Sequence, residues 1–377
     1  MKVGIIKLGS RISYGGRDTS GGNGEVRSII KILQTADIEV NVFTKTLDKD
    51  DLIDSIAWYD INLGHEIVND IGLDALLVIN GNVNFFGGAE DRSQILNYHI
   101  INNFKGKVFY ILCDPALQLK QIWPSIAKKP WGSKYKEKDI NITRTDISYI
   151  SQPYRVDLLI DIIKKNGIEI NHASYFPFEK FPCLNSQLEP LPHNKLESDI
   201  SYGGTMRGGK REKKMIEFYF GYSEDINVEM FGKIDSDDFN PKKVSSFREP
   251  RFSGSVKYDE FLPKMNKALS TVVIGDPLYE ELEDINQRVY ESIWAGVVTF
   301  IDAGFDTQKR VYTLDDDLKE FLYVTDRVDV EDKVNMLKMH PDFRKLVLEA
   351  QLKAVDFDAH KYSQQLKTIL ENHLWKY

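Results

Sequence analysis

Cysteine is nearly absent from this sequence. Only Cys113 and Cys183 occur in 377 residues. They lack disulfide or metal-ligand spacing, which excludes a stapled secreted scaffold and fits a reducing cytoplasm. Long apolar runs are missing as well. None approaches the ~20 residues that span a bilayer, so no membrane partner is expected. The opening MKVGIIKLGS turns polar too early for a secretory signal and reads as a first β-strand. Positive charge is not in excess either. A net charge of −8 argues against wholesale electrostatic binding of nucleic acid. The phosphate-loop and GxGxxG patterns are both absent. There is no repeat of solenoid period and no low-complexity tract.

What is present is a chain with 42% apolar residues. At roughly 150 residues per domain, that composition supports two domains with separate cores. The charge is uneven. Five lysines and one acid lie between Lys128 and Lys138, and five cations and one acid between Arg207 and Lys214. An acidic protein with such patches can still offer a positive cleft to a polyanion. Two solvated loops explain the same pattern.

The pattern alternates strand and helix twice. In the first half, strands are predicted over 3–6, 38–42, 76–79, 108–112, 149–150 and 173–176, with helices over 25–34 and 156–165. A proline-rich stretch from Phe176 to Pro192 reads as a linker. Strands are then predicted over 199–202, 228–231, 271–274 and 297–301, and helices over 211–220, 261–269 and 287–295. The end is helical over 330–339, 342–354 and 360–374. Two such halves predict an α/β protein of two Rossmann-like domains, whose ligands sit at strand carboxyl ends.

Four constellations sit at such ends. Asp114 closes a hydrophobic strand ahead of Pro115. It could serve as a general base, or as a turn or helix-cap aspartate. The run YGGTMRGGKREKK (Tyr202–Lys214) follows a strand and opens a helix, where backbone N–H groups meet phosphate. Cations at a helix N-terminus are disfavoured by its dipole, so a bound anion would explain Arg207 and Arg211. An exposed basic helix start is the alternative. Asp276 and Tyr279 follow another strand. Arg288 and Glu291 are three apart on the next helix, placed for phosphate and ribose or for a simple ion pair. Asn84-Phe85-Phe86-Gly87-Gly88 offers aromatics to stack on a base, or to close a core.

Together these stretches resemble the phage DNA β-glucosyltransferases, which glucosylate 5-hydroxymethylcytosine in DNA. The resemblance covers most of the chain. It is carried by NFFGG (Asn84–Gly88), Asp114, WPSIAKKPW (Trp123–Trp131), ISQ (Ile150–Gln152), YFPFE (Tyr175–Glu179) and YGGTMRGGKREKKMIEF (Tyr202–Phe218). Phe231-Gly232, VIGD (Val273–Asp276), RVYE (Arg288–Glu291) and FDT (Phe305–Thr307) extend it.

The resemblance implies a GT-B fold, with two Rossmann-like domains facing a central cleft and a C-terminal helix crossing back to the first. Residues 1–178 plus 360–377 would form the acceptor domain and 179–359 the donor domain. It implies an inverting transfer from a UDP-sugar to double-stranded DNA with the target base flipped out. Asp114 matches the family's base, and Glu25 a further active-site glutamate. Gly204, Thr205, Arg207, Arg211, Phe231, Gly232, Val256, Asp276, Tyr279, Arg288 and Glu291 match donor-side positions. Phe85, Phe86, Gly87, Lys128, Lys129 and Trp131 fall on the DNA side. No tightly bound cofactor is implied, though Mg²⁺ or Mn²⁺ could assist the diphosphate. A monomer in the cytoplasm of an infected bacterial host is expected, with evasion of host restriction as its role.

The chain departs from the family pattern at Pro115-Ala116, where a basic residue is usual. It also departs at Ser255, where a lysine is usual. Glucose is the default sugar and a pentose such as arabinose the alternative. A GT-B enzyme with a non-DNA acceptor is the rival reading, and FFGG with WPSIAKKPW speaks against it.

Overall fold

The computed structural model describes residues 1–7, 22–44, 56–79, 92–112, 144–165, 170, 172–181, 190–192, 194–206, 210–234, 247–275, 279, 281–313 and 316–374. The chain divides into two compact units. One holds the described residues up to Phe178 together with the C-terminal segment from Asp358, and the other holds Glu179–Phe357.

The first unit is built on strands β1 (Lys2–Lys7), β2 (Glu39–Thr44), β3 (Ala57–Asp60), β4 (Ala75–Ile79), β5 (Lys107–Leu112), β6 (Ser148–Ser151) and β7 (Ala173–Tyr175). They form a parallel sheet in the order β3-β2-β1-β4-β5-β6-β7. Central parallel strands are covered on both faces, so they read as near-continuous apolar runs. Accordingly every residue of ALLVI in β4 is buried, as is all of β5 after Lys107. The helices are α1 (Gly22–Thr35), α2 (Ile61–Ile67), α3 (Arg92–Asn103) and α4 (Val156–Lys165). On α1, Val26, Ile29, Ile30 and Leu33 recur at helical spacing and are all fully buried.

The second unit repeats the plan. Strands β8 (Ser198–Gly203), β9 (Val228–Phe231), β10 (Arg251–Phe252), β11 (Ala268–Val273), β12 (Val298–Asp302) and β13 (Tyr323–Val324) run parallel in the order β10-β9-β8-β11-β12-β13. Helices α5 (Lys210–Tyr219), α6 (Tyr258–Met265), α7 (Gln287–Trp294), α8 (Asp316–Leu322), α9 (Arg327–Met339) and α10 (Pro341–Val355) complete it. In both sheets the strand order reverses beside the unit's first strand, and the carboxyl ends there form the binding crevice of such folds. The last helix, α11 (Ala359–Leu374), belongs to the first unit. It packs on α1, and its Tyr362 and His373 rings reach Phe176 and Phe109. No helix among the described residues is long and apolar enough to cross a membrane.

The alternation predicts most of these elements. It overextends one helix: α6 stops at Met265, and Leu269 lies in β11. Leucine serves both periods, and the β-rich run ALSTVV that follows decides the matter. β3, α2, α3, β10, α8 and β13 go unpredicted. Two of these strands are only two residues long.

One clamp closes the first sheet. Arg144 donates from Nη1 to the Phe104 carbonyl at 2.6 Å and from Nη2 to the Gly106 carbonyl at 2.9 Å. Its Nε donates to Asp146 Oδ1 at 2.8 Å. This joins the end of α3 to the entries of β5 and β6. Hydrogen bonding from Arg144 holds the Asp146 carboxyl below its ordinary 3.8. Removal of Arg144 strands two carbonyls and a carboxylate. Arg144→Ala is therefore expected to destabilise the first unit by about 2–4 kcal/mol in urea unfolding. A depressed carboxyl contributes stability above its unfolded value and loses it as pH falls through the folded one. The deficit of the variant should thus narrow in acid.

Candidate functional site

Strand carboxyl ends build the site in the second unit. β8 runs out into Gly203 and Gly204, and β9 into Phe231 and Gly232. Gly204 and Gly232 have φ of +147° and +130°, where side chains are rarely found. A Cβ on Gly232 would lie 1.9 Å from the Gly204 carbonyl oxygen, so the two backbones touch. Gly204 N donates to Phe231 O at 3.0 Å, and Gly232 N to Gly254 O at 2.8 Å. The loops leaving β8, β9 and β10 are thereby tied together. Thr205 follows, half-buried, with its carbonyl accepting from the Tyr202 hydroxyl at 3.2 Å.

The helices bring in the charges. Asn286 caps α7, its side chain accepting from Arg288 N at 2.9 Å, which places Arg288 in the first turn. Arg288 Nη1 meets Glu291 Oε2 at 2.8 Å. The guanidinium lies 4.0 Å from the Phe261 ring centroid. Its Nη2 lies on the Gly204 side, 3.7 Å from where a Cβ of Gly204 would be. Val256 packs beside Phe231 and Phe261. Arg211 stands in the first turn of α5, and its Nε is buried without a hydrogen-bond partner among the described residues. Lys214 is tied elsewhere, 3.2 Å from Asp302 and 3.4 Å from Glu217, whereas Lys213 is exposed.

The motifs VIGD and FDT meet physically. A Cβ on Gly275 would lie 1.9 Å from the Phe305 ring, so the glycine of one admits the phenylalanine of the other. Tyr279 is half-buried beside them and lines a small cavity with Phe305 and Thr307.

The structure thus assembles Gly204, Thr205, Phe231, Gly232, Val256, Arg288 and Glu291 at one sheet edge, with Arg211 on the helix that follows β8. Glu25 lies in α1, its side chain outside the described atoms. Asp114, Arg207, Asp276, Phe85, Phe86, Gly87, Lys128, Lys129 and Trp131 lie outside the described residues. Phe261, Asn286 and Asp302 escape the sequence reading. Asn286 carried a signal, a capping asparagine just ahead of the helix. Phe261 carried none, since an aromatic on an amphipathic helix reads as core.

A cavity of ≈430 Å³, lined among others by Glu197, Tyr222, Arg248 and Arg251, opens at the amino ends of β8, β9 and β10. That is the wrong end of the sheet for this fold's ligands. Its arginines are already engaged: Arg251 pairs with Glu229 at 3.0 Å, and Arg248 donates to backbone carbonyls.

A family model described as Bacteriophage T4 beta-glucosyltransferase matches residues 1–182, and one described as Glycosyl transferase-like matches 211–371. The DNA beta-glucosyltransferase of Enterobacteria phage T4 is 29% identical over 360 residues, 93% of each chain. Over 93% of its length the chain is similar to a phage β-glucosyltransferase. Solved structures agree. T4 phage BGT in complex with UDP and Mn²⁺ matches with a TM-score of 0.78 at 25% identity, covering 98% of this chain and 100% of that one. T4 phage BGT in complex with UDP-glucose matches at 0.69 with 26% identity, covering 99% and 97%. The chain therefore has the GT-B fold, and it is a UDP-sugar glycosyltransferase.

Glu179, at the end of the YFPFE motif, is only 4% exposed. Its Oε2 has no hydrogen-bond partner among the described residues. Burial pushes its carboxyl well above the usual range and Asp284 adds to the shift, while Lys180 and Arg310 oppose it. A carboxyl raised in the fold favours the protonated native state. Stability is then lost as pH rises from the unfolded value through the folded one. Glu179→Gln should accordingly be more stable than wild type at alkaline pH, with the gap closing as pH falls toward 4.5. Thermal melts across pH check this, and a gap independent of pH would refute it.

Proposed function

We propose that this enzyme transfers glucose from UDP-glucose to the hydroxymethyl group of 5-hydroxymethylcytosine in double-stranded DNA. The observation that carries the reading is the convergence of Gly204, Gly232, Arg288 and Glu291 at one set of strand ends. Bare backbone and a guanidinium suit a diphosphate, and a neighbouring carboxylate suits ribose hydroxyls. The likeness to a T4 enzyme solved with UDP and with UDP-glucose supports the donor, and the name of its curated relative supports DNA as acceptor.

The transfer is a single displacement. The hydroxymethyl oxygen attacks the anomeric carbon as its proton passes to Asp114. The bond from that carbon to the β-phosphate oxygen breaks, UDP leaves, and the configuration inverts. Arg207, Arg211 and Arg288 stabilise the charge that develops on the diphosphate. Glu291 accepts from the ribose, while Asp276, Tyr279 and Glu25 address the sugar. The target base leaves the duplex to reach the site. Phe85, Phe86 and Gly87 occupy the gap, and Lys128, Lys129 and Trp131 contact the backbone.

In this reading residues 1–178 plus 360–377 serve the acceptor and 179–359 the donor. The enzyme works as a monomer in the cytoplasm of an infected bacterial host, shielding phage DNA from restriction. Among the described residues no group of three or more His, Cys, Asp or Glu could hold a metal ion, and no step is assigned to one.

The test uses hydroxymethylated and plain duplexes with a panel of UDP-sugars, followed by mass measurement of the nucleosides. A hexose increment on hydroxymethylcytosine alone is expected. A pentose increment would reassign the donor, and no transfer to either duplex would overturn the reading. Asp114→Asn is expected to lower kcat about 10³-fold while UDP binding is retained. Lost UDP binding would show that Asp114 serves the donor instead.

A further inference from the structure

Of the donor-side arginines, Arg288 is the one whose setting the structure defines most fully, and that setting is aromatic. We propose that Phe261 is a positioning residue, a ring platform that fixes the Arg288 guanidinium toward the diphosphate. The inference rests on the donor reading above and adds a residue to it.

The guanidinium is held on one edge and one face. Nη1 is engaged by Glu291 at 2.8 Å and lies 3.9 Å from Met265 Sδ. The face lies on Phe261, with Cζ 4.0 Å from the centroid. Nη2 is left toward Gly204 and the glycine turn. The ring cannot retreat. Phe261 is 8% exposed, and its centroid is 5.3 Å from that of Phe231. A Cβ on Gly203 would come within 2.6 Å of Phe261 and 2.7 Å of Phe231, so the rings fill the space that a side chain there would need. Beyond Phe231 lies Lys264, its Nζ 5.4 Å from that ring and 2.9 Å from Glu229 Oε1. The result is a continuous column of lysine, ring, ring and arginine. Each cation is anchored by its own glutamate.

The choice of an aromatic has a reason. A cation in the first turn of a helix opposes the dipole, and the negative face of a ring offsets that without neutralising the charge. Glu291 also offsets it, but its carboxylate is assigned to ribose hydroxyls. Once ribose takes the carboxylate, the ring is the contact that remains. An arginine oriented before UDP arrives loses less side-chain freedom on binding and meets the leaving group without reorganisation.

The test compares Phe261→Leu with replacement by 3,5-difluorophenylalanine, which nearly preserves shape but withdraws electron density from the ring face. Affinities for UDP, uridine and inorganic pyrophosphate are measured by calorimetry on the full chain. Both variants are expected to weaken UDP and pyrophosphate, Phe261→Leu by about tenfold, with uridine unchanged. Equal losses for UDP and uridine would mean that Phe261 only shapes the pocket, and unchanged UDP affinity would mean that the ring does not matter. Either result overturns the proposal. Should Phe261→Leu fail to fold, the fluorinated protein decides alone. A wild type that binds pyrophosphate but not UDP would sink the donor reading and leave Phe261 to be judged on pyrophosphate. A wild type that binds neither would end both.

Discussion

The second unit depends on a contact between two pieces of backbone. The Gly204 carbonyl oxygen stands where any side chain at position 232 would begin. Because nothing intervenes, the loops leaving β8 and β9 converge, and the loop beyond β10 bonds to them through Gly254. Gly203 admits the paired rings of Phe231 and Phe261 beneath the same turn, and those rings carry Arg288. The turn is thus a nearly bare peptide surface, and its charge comes from helices α5 and α7. A polar side chain at either contacting position could imitate the chemistry but not the approach distance.

Arg288 and Glu291 resolve an apparent choice. Their spacing suits both a local ion pair and a pair of ligand contacts, and the structure shows the ion pair formed. The two uses are compatible. Glu291 is nearly buried and would be costly to leave alone, so Arg288 partners it while the edge facing Gly204 stays in place.

Much of this was legible in advance, for reasons that differ from residue to residue. β4, β5 and β12 are buried on both faces, and burial of that kind writes unbroken apolar runs into the sequence. The glycines at 203 and 204 were legible as a loop opening on a helix, and Gly232 only through the family resemblance. That 204 and 232 touch was not, because a contact between distant backbones leaves no periodic trace. Phe261 was illegible for a related reason. Its contacts resemble those of any core aromatic until the guanidinium lying on it is seen. Lys214 was undecided within a cationic run until Asp302, 88 positions away, claimed it.

The last helix gives the two units different histories. The described residues of the second unit all fall within Glu179–Phe357, and can close their core once that segment exists. The first unit is split, because α1 near the start of the chain packs on α11 at its end. Leu366 and Leu370 of α11 are fully buried, so the unit that begins translation first is the last to be completed. Until the final segment emerges from the ribosome, part of α1's surface has no cover. The described segments of the second unit are therefore all synthesised before the first unit's last helix, the reverse of the usual vectorial order.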